Sequence, residues 1–408
     1  MSRNLLVVED IRFVNAKICS IGKQHGYTVH AAGDLQTALR FMSDIHFDLA
    51  IIDYRLPDGD NGEAVDYAFE LKIPTIVITA KIDDELRENI LSKNVVDYFQ
   101  KDAALTFDYI DRMLSRLDRN PEYSVLVVDD SSTARVKLVR LLKRHRFKVL
   151  EAANGREALE IVDQDDTVKV IITDHEMPEM DGIELTRELR IKYQKDDIAI
   201  IGISSKGNSA MSARFLKYGA NDFLTKPFCE EEFYCRLSHN IDSLEQLWQI
   251  KKSANTDFLT QLNNRRHLSE IVEGFGNYGK KSINLAMLDI DHFKRINDGF
   301  GHDVGDLALQ QLSAIMKKHF TADVPARFGG EEFCIVSENL PPMQFRDKLE
   351  EFRLEVQNTP LVHNGQDIKF TVSIGAVYSK KSLADMLVDA DTLLYKAKKT
   401  GRNKVITE

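Results

Sequence analysis

One pattern occurs twice along this chain, and it leaves few folds open. Leu5-Leu6-Val7-Val8-Glu9-Asp10 recurs as Val125-Leu126-Val127-Val128-Asp129-Asp130, a spacing of about 120 residues that marks an internal repeat. Leu49-Ala50-Ile51-Ile52-Asp53, with Pro57 beyond it, recurs as Val170-Ile171-Ile172-Thr173-Asp174 with Met177-Pro178. Ile76-Val77-Ile78-Thr79 matches Ile200-Ile201-Gly202-Ile203-Ser204, and Asp97-Tyr98-Phe99-Gln100-Lys101 matches Asp222-Phe223-Leu224-Thr225-Lys226. Every short apolar run ends in a polar residue. Runs of this kind separated by helical periodicity predict two tandem parallel α/β sheets, and such sheets gather functional residues at the carboxyl ends of their strands.

Three crowded carboxylates have a physical reason to bind Mg²⁺, which neutralises them and readies the middle aspartate to attack a phosphoryl group. A hydroxyl and a lysine can then hold the new phosphate's oxygens. The plainer alternative is that each acid caps the following helix, but two quartets in the same order favour a shared site. The quartets resemble those of CheY-like receiver domains of bacterial response regulators, which implies a doubly wound, flavodoxin-like fold and one Mg²⁺ per receiver. The resemblance assigns Glu9 and Asp10 to metal, Asp53 to phosphoryl acceptance, Thr79 to switching and Lys101 to phosphate contact. In the second copy these roles fall to Asp129 and Asp130, Asp174, Ser204 and Lys226. The first copy departs from the family twice: Asp102 stands where proline is usual, and Asp53 to Thr79 spans 26 positions against 30 from Asp174 to Ser204. It is therefore expected to be either a phospho-acceptor with altered signalling or a dimerisation adaptor.

A second signal lies nearer the C-terminus. Arg327-Phe328-Gly329-Gly330-Glu331-Glu332-Phe333 sets two glycines before two acids and a β-prone run, which predicts a hairpin with carboxylates at its tip. Leu285-Ala286-Met287-Leu288-Asp289-Ile290-Asp291 reads as a buried strand ending in acids. Carboxylates at a strand end and at a hairpin tip can converge on a hard, oxygen-preferring cation such as Mg²⁺. With Asp257-Phe258-Leu259-Thr260 and Lys398-Lys399-Thr400-Gly401-Arg402-Asn403 these motifs resemble the GGDEF family of diguanylate cyclases over roughly residues 255 to 408.

That resemblance implies an α+β, nucleotidyl-cyclase-like domain that joins two GTP into cyclic di-GMP with release of two pyrophosphates. Two domains must meet for this, so a homodimer and two Mg²⁺ per cyclase site are implied. It gives Asp289 and the Ile290 carbonyl to metal, Glu331 to metal and to deprotonating the attacking hydroxyl, and Glu332 to a second metal. Asn297 and Asp306 match guanine-reading positions, Lys294, Lys398 and Arg402 match phosphate-holding positions, and Phe293 offers its backbone N–H. Judged alone, Asn297 could be an Asx turn, Asp306 a helix N-cap, and Lys398 and Arg402 a solvated helix end. The family's inhibitory Arg-x-x-Asp is here Phe320-Thr321-Ala322-Asp323, and phenylalanine cannot make arginine's bidentate contacts. Weak or absent product inhibition is expected.

The expected boundaries are residues 1–119 for the first receiver, 122–240 for the second, 241–256 for a helical linker and 257–408 for the cyclase. Leu237, Ile241, Leu244 and Trp248 form a short heptad stripe that either packs back on its own receiver or builds a stalk between protomers, with Lys251-Lys252-Ser253-Ala254-Asn255 as a hinge. A net charge of −10 argues against nonspecific nucleic-acid binding. Cys19, Cys229, Cys235 and Cys334 show no metal-site spacing, and no signal-peptide core or membrane-length apolar run occurs. The expectation is a cytoplasmic protein whose partners are GTP, a histidine kinase or phosphotransfer protein, and a second copy of itself. The alternative is a non-catalytic module that binds GTP or cyclic di-GMP and acts through a protein partner.

Overall fold

A computed structural model describes residues 3–101, 106–205, 209–275 and 282–408. Asp102 lies outside the described residues. The chain divides into two compact units, Met1–Glu245 and Gln246–Glu408.

The first unit opens with strands β1 (Arg3–Val8), β2 (Tyr27–Ala32), β3 (Leu49–Asp53), β4 (Thr75–Thr79) and β5 (Asp97–Gln100). Helices α1 (Arg12–Gln24), α2 (Leu35–Asp44), α3 (Glu63–Glu70), α4 (Asp84–Ser92) and α5 (Thr106–Arg119) alternate with them. The sheet is parallel with order β2-β1-β3-β4-β5. Alternation along β1 builds a core on each face: Leu5 and Val7 pack with Ile18, Ile110 and Leu114, whereas Leu6 and Val8 pack with Ala38, Ala64 and Ala68. The repeat follows with β6 (Ser124–Val128), β7 (Lys148–Ala152), β8 (Val168–Asp174), β9 (Ala199–Ser204) and β10 (Asp222–Thr225), and with α6 (Ser132–Arg144), α7 (Gly155–Gln164), α8 (Gly182–Lys192), α9 (Ser209–Lys217) and α10 (Glu230–Asn255). Its order, β7-β6-β8-β9-β10, is the same wiring. The shortfall in the first copy falls in its third helix, eight residues in α3 against eleven in α8, and in the connection that follows.

The second unit holds β11 (Asn263–Asn264), α11 (Arg265–Glu273), β12 (Ile283–Ile290), α12 (Phe293–Phe300), α13 (His302–His319), β13 (Val324–Gly329), β14 (Glu332–Ser337), α14 (Pro342–Asn358), β15 (Leu361–His363), β16 (Gln366–Ile368), β17 (Val372–Ser379), α15 (Leu383–Lys399) and β18 (Val405–Thr407). The mixed sheet runs β11-β13-β14-β12-β17-β18, so β12 lies inside it, antiparallel to both neighbours. Ala286, Leu288 and Ile290 face the core under α13 and α14. Leu285 and Met287 face the one under α15, and by the same alternation so does Asp289.

The heptad stripe divides along α10. Leu237 and Ile241 are buried in the second receiver's core and Leu244 packs against it, whereas Leu247, Trp248 and Ile250 are exposed. The expected hinge is corrected: residues 251–255 are the last turn of α10. Lys-Lys-Ser-Ala-Asn contains neither glycine nor proline, so nothing interrupts the backbone ladder before the Thr256 N–H reaches the Lys252 carbonyl at 3.0 Å. Among the described residues no helix is long and apolar enough to cross a membrane.

Candidate active site and receiver pockets

The ladder between β12 and β14 sets Asp289 opposite Glu332, so the strand end and the hairpin tip meet because the strands are neighbours. Gly329 and Gly330 take φ of 151° and 52° at the turn that carries Glu331, a conformation that favours glycine. Arg327 holds this turn by donating from Nη2 to the Gly330 carbonyl at 2.7 Å while its Nη1 pairs with Asp257 at 2.9 Å. Despite burial, Asp257 is held below the usual carboxylate range by Arg327 and Thr260. Thus the Asp257–Thr260 motif braces the tip.

Asp289 is 4% exposed, and its Oδ2 lies 2.7 Å from Lys398 Nζ on α15. Burial pushes its pKa up to about 6, against the pull of Lys398, and the negative charges of Glu331 and Glu332 add to the rise. Glu331 is raised too, chiefly by burial. The three carboxylates repel one another and share one lysine, so a divalent cation drawn between them would let them ionise together, although their oxygens are spread wider than those of a metal-sized cluster.

Asp291 looks like a further ligand in the sequence but is fully engaged elsewhere. Its carboxylate accepts from Ser373 Oγ at 2.6 Å, Thr371 Oγ1 at 2.7 Å and the Asn403 N–H at 3.0 Å. It anchors the turn that carries Arg402, which takes a positive φ of 60° after Gly401 at 110°.

Helix α12 starts after His292 at φ 58° and presents Phe293 and Asn297 one turn apart. The plainer readings of Asn297 and Asp306 fail, because Asn297 lies inside α12 and Asp306 is the fifth residue of α13. Gly305 matters here: a Cβ on it would stand 1.9 Å from Asn297 Oδ1. Only glycine leaves that amide its place. Lys294 and Asp306 are exposed beside them.

In the first receiver Glu9, Asp53, Thr79 and Lys101 follow or end adjacent strands of the sheet. Lys101 Nζ lies 2.6 Å from Asp53 Oδ2 and 2.8 Å from Glu9 Oε2. Burial raises the pKa of both acids against the lysine's pull. Oxygens of Glu9, Asp10 and Asp53 lie within 4.8 Å of one another. Thr79 turns its hydroxyl to the Lys81 carbonyl at 3.1 Å. In the second receiver Lys226 Nζ lies 2.6 Å from Asp174 and 2.8 Å from Asp129, Ser204 is buried, and Asp130 is exposed. Among the described residues only the first trio is close enough to count as a metal-sized cluster.

The family profile for the response regulator receiver domain matches residues 5–107 and 125–238, together more than half of the chain, and the diguanylate cyclase GGDEF domain profile matches 254–404. The chain belongs to the response regulators, with a GGDEF domain. This response regulator is 26% identical to Response regulator PleD of Caulobacter vibrioides across 100% of the chain and 99% of that protein. It is 34% identical to a probable diguanylate cyclase, DgcF, of Escherichia coli K12 over 39% of the sequence here and 53% of that one's. A solved probable two-component system response regulator/GGDEF domain protein matches with a TM-score of 0.52 and 39% identity over 60% of this chain and all of that one.

Apart from Tyr98, the residues that tie the two receivers of this response regulator to each other are ones that sequence reasoning did not single out. Arg144, His145 and Arg146, where α6 ends, reach three places on the first receiver. Arg144 donates to the Val95 carbonyl at 3.2 Å, His145 Nε2 to the Val96 carbonyl at 2.9 Å and Arg146 to the Asp48 carbonyl at 2.8 Å. In return Arg116 of α5 pairs with Asp242 and, at 2.8 Å, with Glu245 of α10. Tyr98 donates to Glu231 of α10 at 2.6 Å, and Arg87 pairs with the same carboxylate. The cluster Lys143-Arg144-His145-Arg146 was the available signal.

Phe320, at the start of the missing inhibitory motif, is buried against Phe352 with Lys348 Nζ 5.1 Å from its ring centre, and Lys348 pairs with Asp323 at 2.7 Å.

Proposed function

We propose that this response regulator is a phosphorylation-controlled diguanylate cyclase that condenses two GTP into cyclic di-GMP. The observation that carries the reading is that Asp289, paired with Lys398, lies opposite Glu332 and within electrostatic reach of Glu331, beside an Asn297 amide for which Gly305 leaves room. Asn297 and Asp306 pair with the guanine edge. The Phe293 N–H, Lys294, Lys398 and Arg402 hold the triphosphate. Asp289, the Ile290 carbonyl, Glu331 and Glu332 are the residues that would hold Mg²⁺, which when bound supplies charge neutralisation at the phosphates. Within that frame the chain's work is positioning. The 3′-hydroxyl of one GTP attacks the α-phosphate of the other, its proton passing to Glu331 as pyrophosphate departs. Each domain holds one GTP, so two copies of the chain must meet. Exposed Leu247, Trp248 and Ile250 on α10 offer an apolar surface for that meeting.

Control is assigned to the first receiver, where Glu9, Asp10 and Asp53 cluster and where Tyr98 contacts its neighbour. A histidine kinase or phosphotransfer protein would supply the phosphoryl group, and both substrates place the protein's work in the cytoplasm. Product feedback through the Phe320–Asp323 position is absent in this reading, because Asp323 is already paired and Phe320 is in the core. Cyclic di-GMP at micromolar concentration should leave initial rates unchanged, and strong suppression would refute it.

The deciding experiment is chromatographic detection of product from GTP and Mg²⁺, with and without beryllofluoride, for wild type, Asp53→Asn, Asp174→Asn and Glu331→Gln. Cyclic di-GMP from wild type but not from Glu331→Gln is expected. GTP binding without product under either condition would instead favour a non-catalytic module acting through a partner protein.

A further inference from the structure

Helix α12 has a second face. Arg295 lies two residues from both Phe293 and Asn297, which places it about 200° around the helix from either. Behind that face is a cavity of 470 Å³, within the range of pockets that enclose small molecules. It is lined by Arg295 and Phe300 from α12, by Gln357 and Asn358 at the end of α14, and by Lys369 and Phe370 before β17.

Cations outnumber acids in the wall of this cavity, two to one. Arg295 and Lys369 have no ion-pair partner among the described residues, and the only acid in the wall, Asp291, is occupied by its three donors. The Gln357 side-chain carbonyl already accepts from Arg353 and Asn403, each at 3.0 Å, so its amide N–H groups remain to donate. Phe370 is buried in the floor and Phe300 is 46% exposed at the rim. Two cations, amide donors and two aromatic rings form a complementary set for an anion with a flat polar-edged body.

We propose that this cavity is a second nucleotide site, separate from the one assigned to GTP, with the phosphate between Arg295 and Lys369 and the base against Phe300 and Phe370. The proposal does not depend on the cyclase reading. The cavity's wall and the proposed GTP-facing residues are opposite sides of one two-turn helix, so occupancy behind α12 would bias the position of Asn297 in front.

The test is calorimetric titration of the full chain with 5′-AMP, which needs no turnover, beside the variants Arg295→Ala/Lys369→Ala and Asn297→Ala/Asp306→Ala. Wild type should bind AMP, the first variant should bind it about tenfold or more weakly, and the second should match wild type. Circular dichroism spectra and melting curves like those of wild type establish that the variants are folded, and Arg295→Lys should recover part of the loss if charge is what is read. No heat from wild type at millimolar AMP would overturn the site, as would equal affinity in the Arg295→Ala/Lys369→Ala variant. Loss of binding in Asn297→Ala/Asp306→Ala alone would assign AMP to the front of the helix and overturn it too. Inorganic phosphate binding as tightly as AMP would remove the base from the proposal.

Discussion

The two receivers have the same strand order and the same acid, hydroxyl and lysine positions, yet they differ at the aromatic that follows the switch hydroxyl. In the first it is Tyr98, whose hydroxyl donates to Glu231 on the neighbour's helix. Burial, and then that carboxylate, push its pKa up to about 12, so it remains a neutral donor. In the second it is Phe223, 8% exposed and packed 5.4 Å from Phe215 within its own core. One aromatic reports outward and the other is sealed in. Sheets of the same order thus differ, beyond the shorter third helix, in one hydroxyl and in what it can reach.

The strongest challenge to this contrast is the beryllofluoride response. Asp53→Asn is expected to abolish it, about tenfold or more in rate if the active state is otherwise sparsely populated, while Asp174→Asn retains most of it. The reverse outcome would move control to the second receiver. Next in size is Arg116→Ala, which removes a buried guanidinium and breaks its pairs with Asp242 and half-buried Glu245. It should destabilise the two-receiver unit by about 3 kcal/mol in urea unfolding.

A pH titration probes the same junction. His145 is buried between the receivers and its pKa is pushed down to about 3, from 6.5, chiefly by burial. The unfolded chain takes up a proton near 6.5 that the folded one refuses, so His145's contribution is intact above that pH and lost as pH falls toward 3. By pH 5 wild type should have lost about 2 kcal/mol relative to His145→Gln. The smallest effect is that of Tyr98→Phe, which gives the first receiver the second's residue type. About 1 kcal/mol of stability should go, and the beryllofluoride response should fall even though Asp53 is untouched.

The doubly wound sheets were legible because each apolar run ends in its polar residue twice over, and a repeated pattern fixes strand ends that one copy would leave ambiguous. The acid pair at the hairpin tip was legible for a similar reason, since two glycines dictate the turn. Gly305 was not singled out, because its role is to leave space for Asn297, eight residues away on another helix. Asp291 was unreadable because its satisfaction depends on Thr371, Ser373 and Asn403, all distant in sequence. The expected hinge failed because Lys251-Lys252-Ser253-Ala254-Asn255 carries neither a glycine nor a proline to end α10 before Asn255.

Asp291 also bears on the order of events as the chain folds. Its partner Asn403 lies 112 positions away, one of the longest loops the second unit has to close. Until that loop closes, Asp291 has only the Thr371 and Ser373 hydroxyls as donors, and the turn that carries Arg402 is not anchored to it. A second unit that had formed its sheet but not this contact would therefore have its strand-end carboxylates in place before Arg402 is fixed.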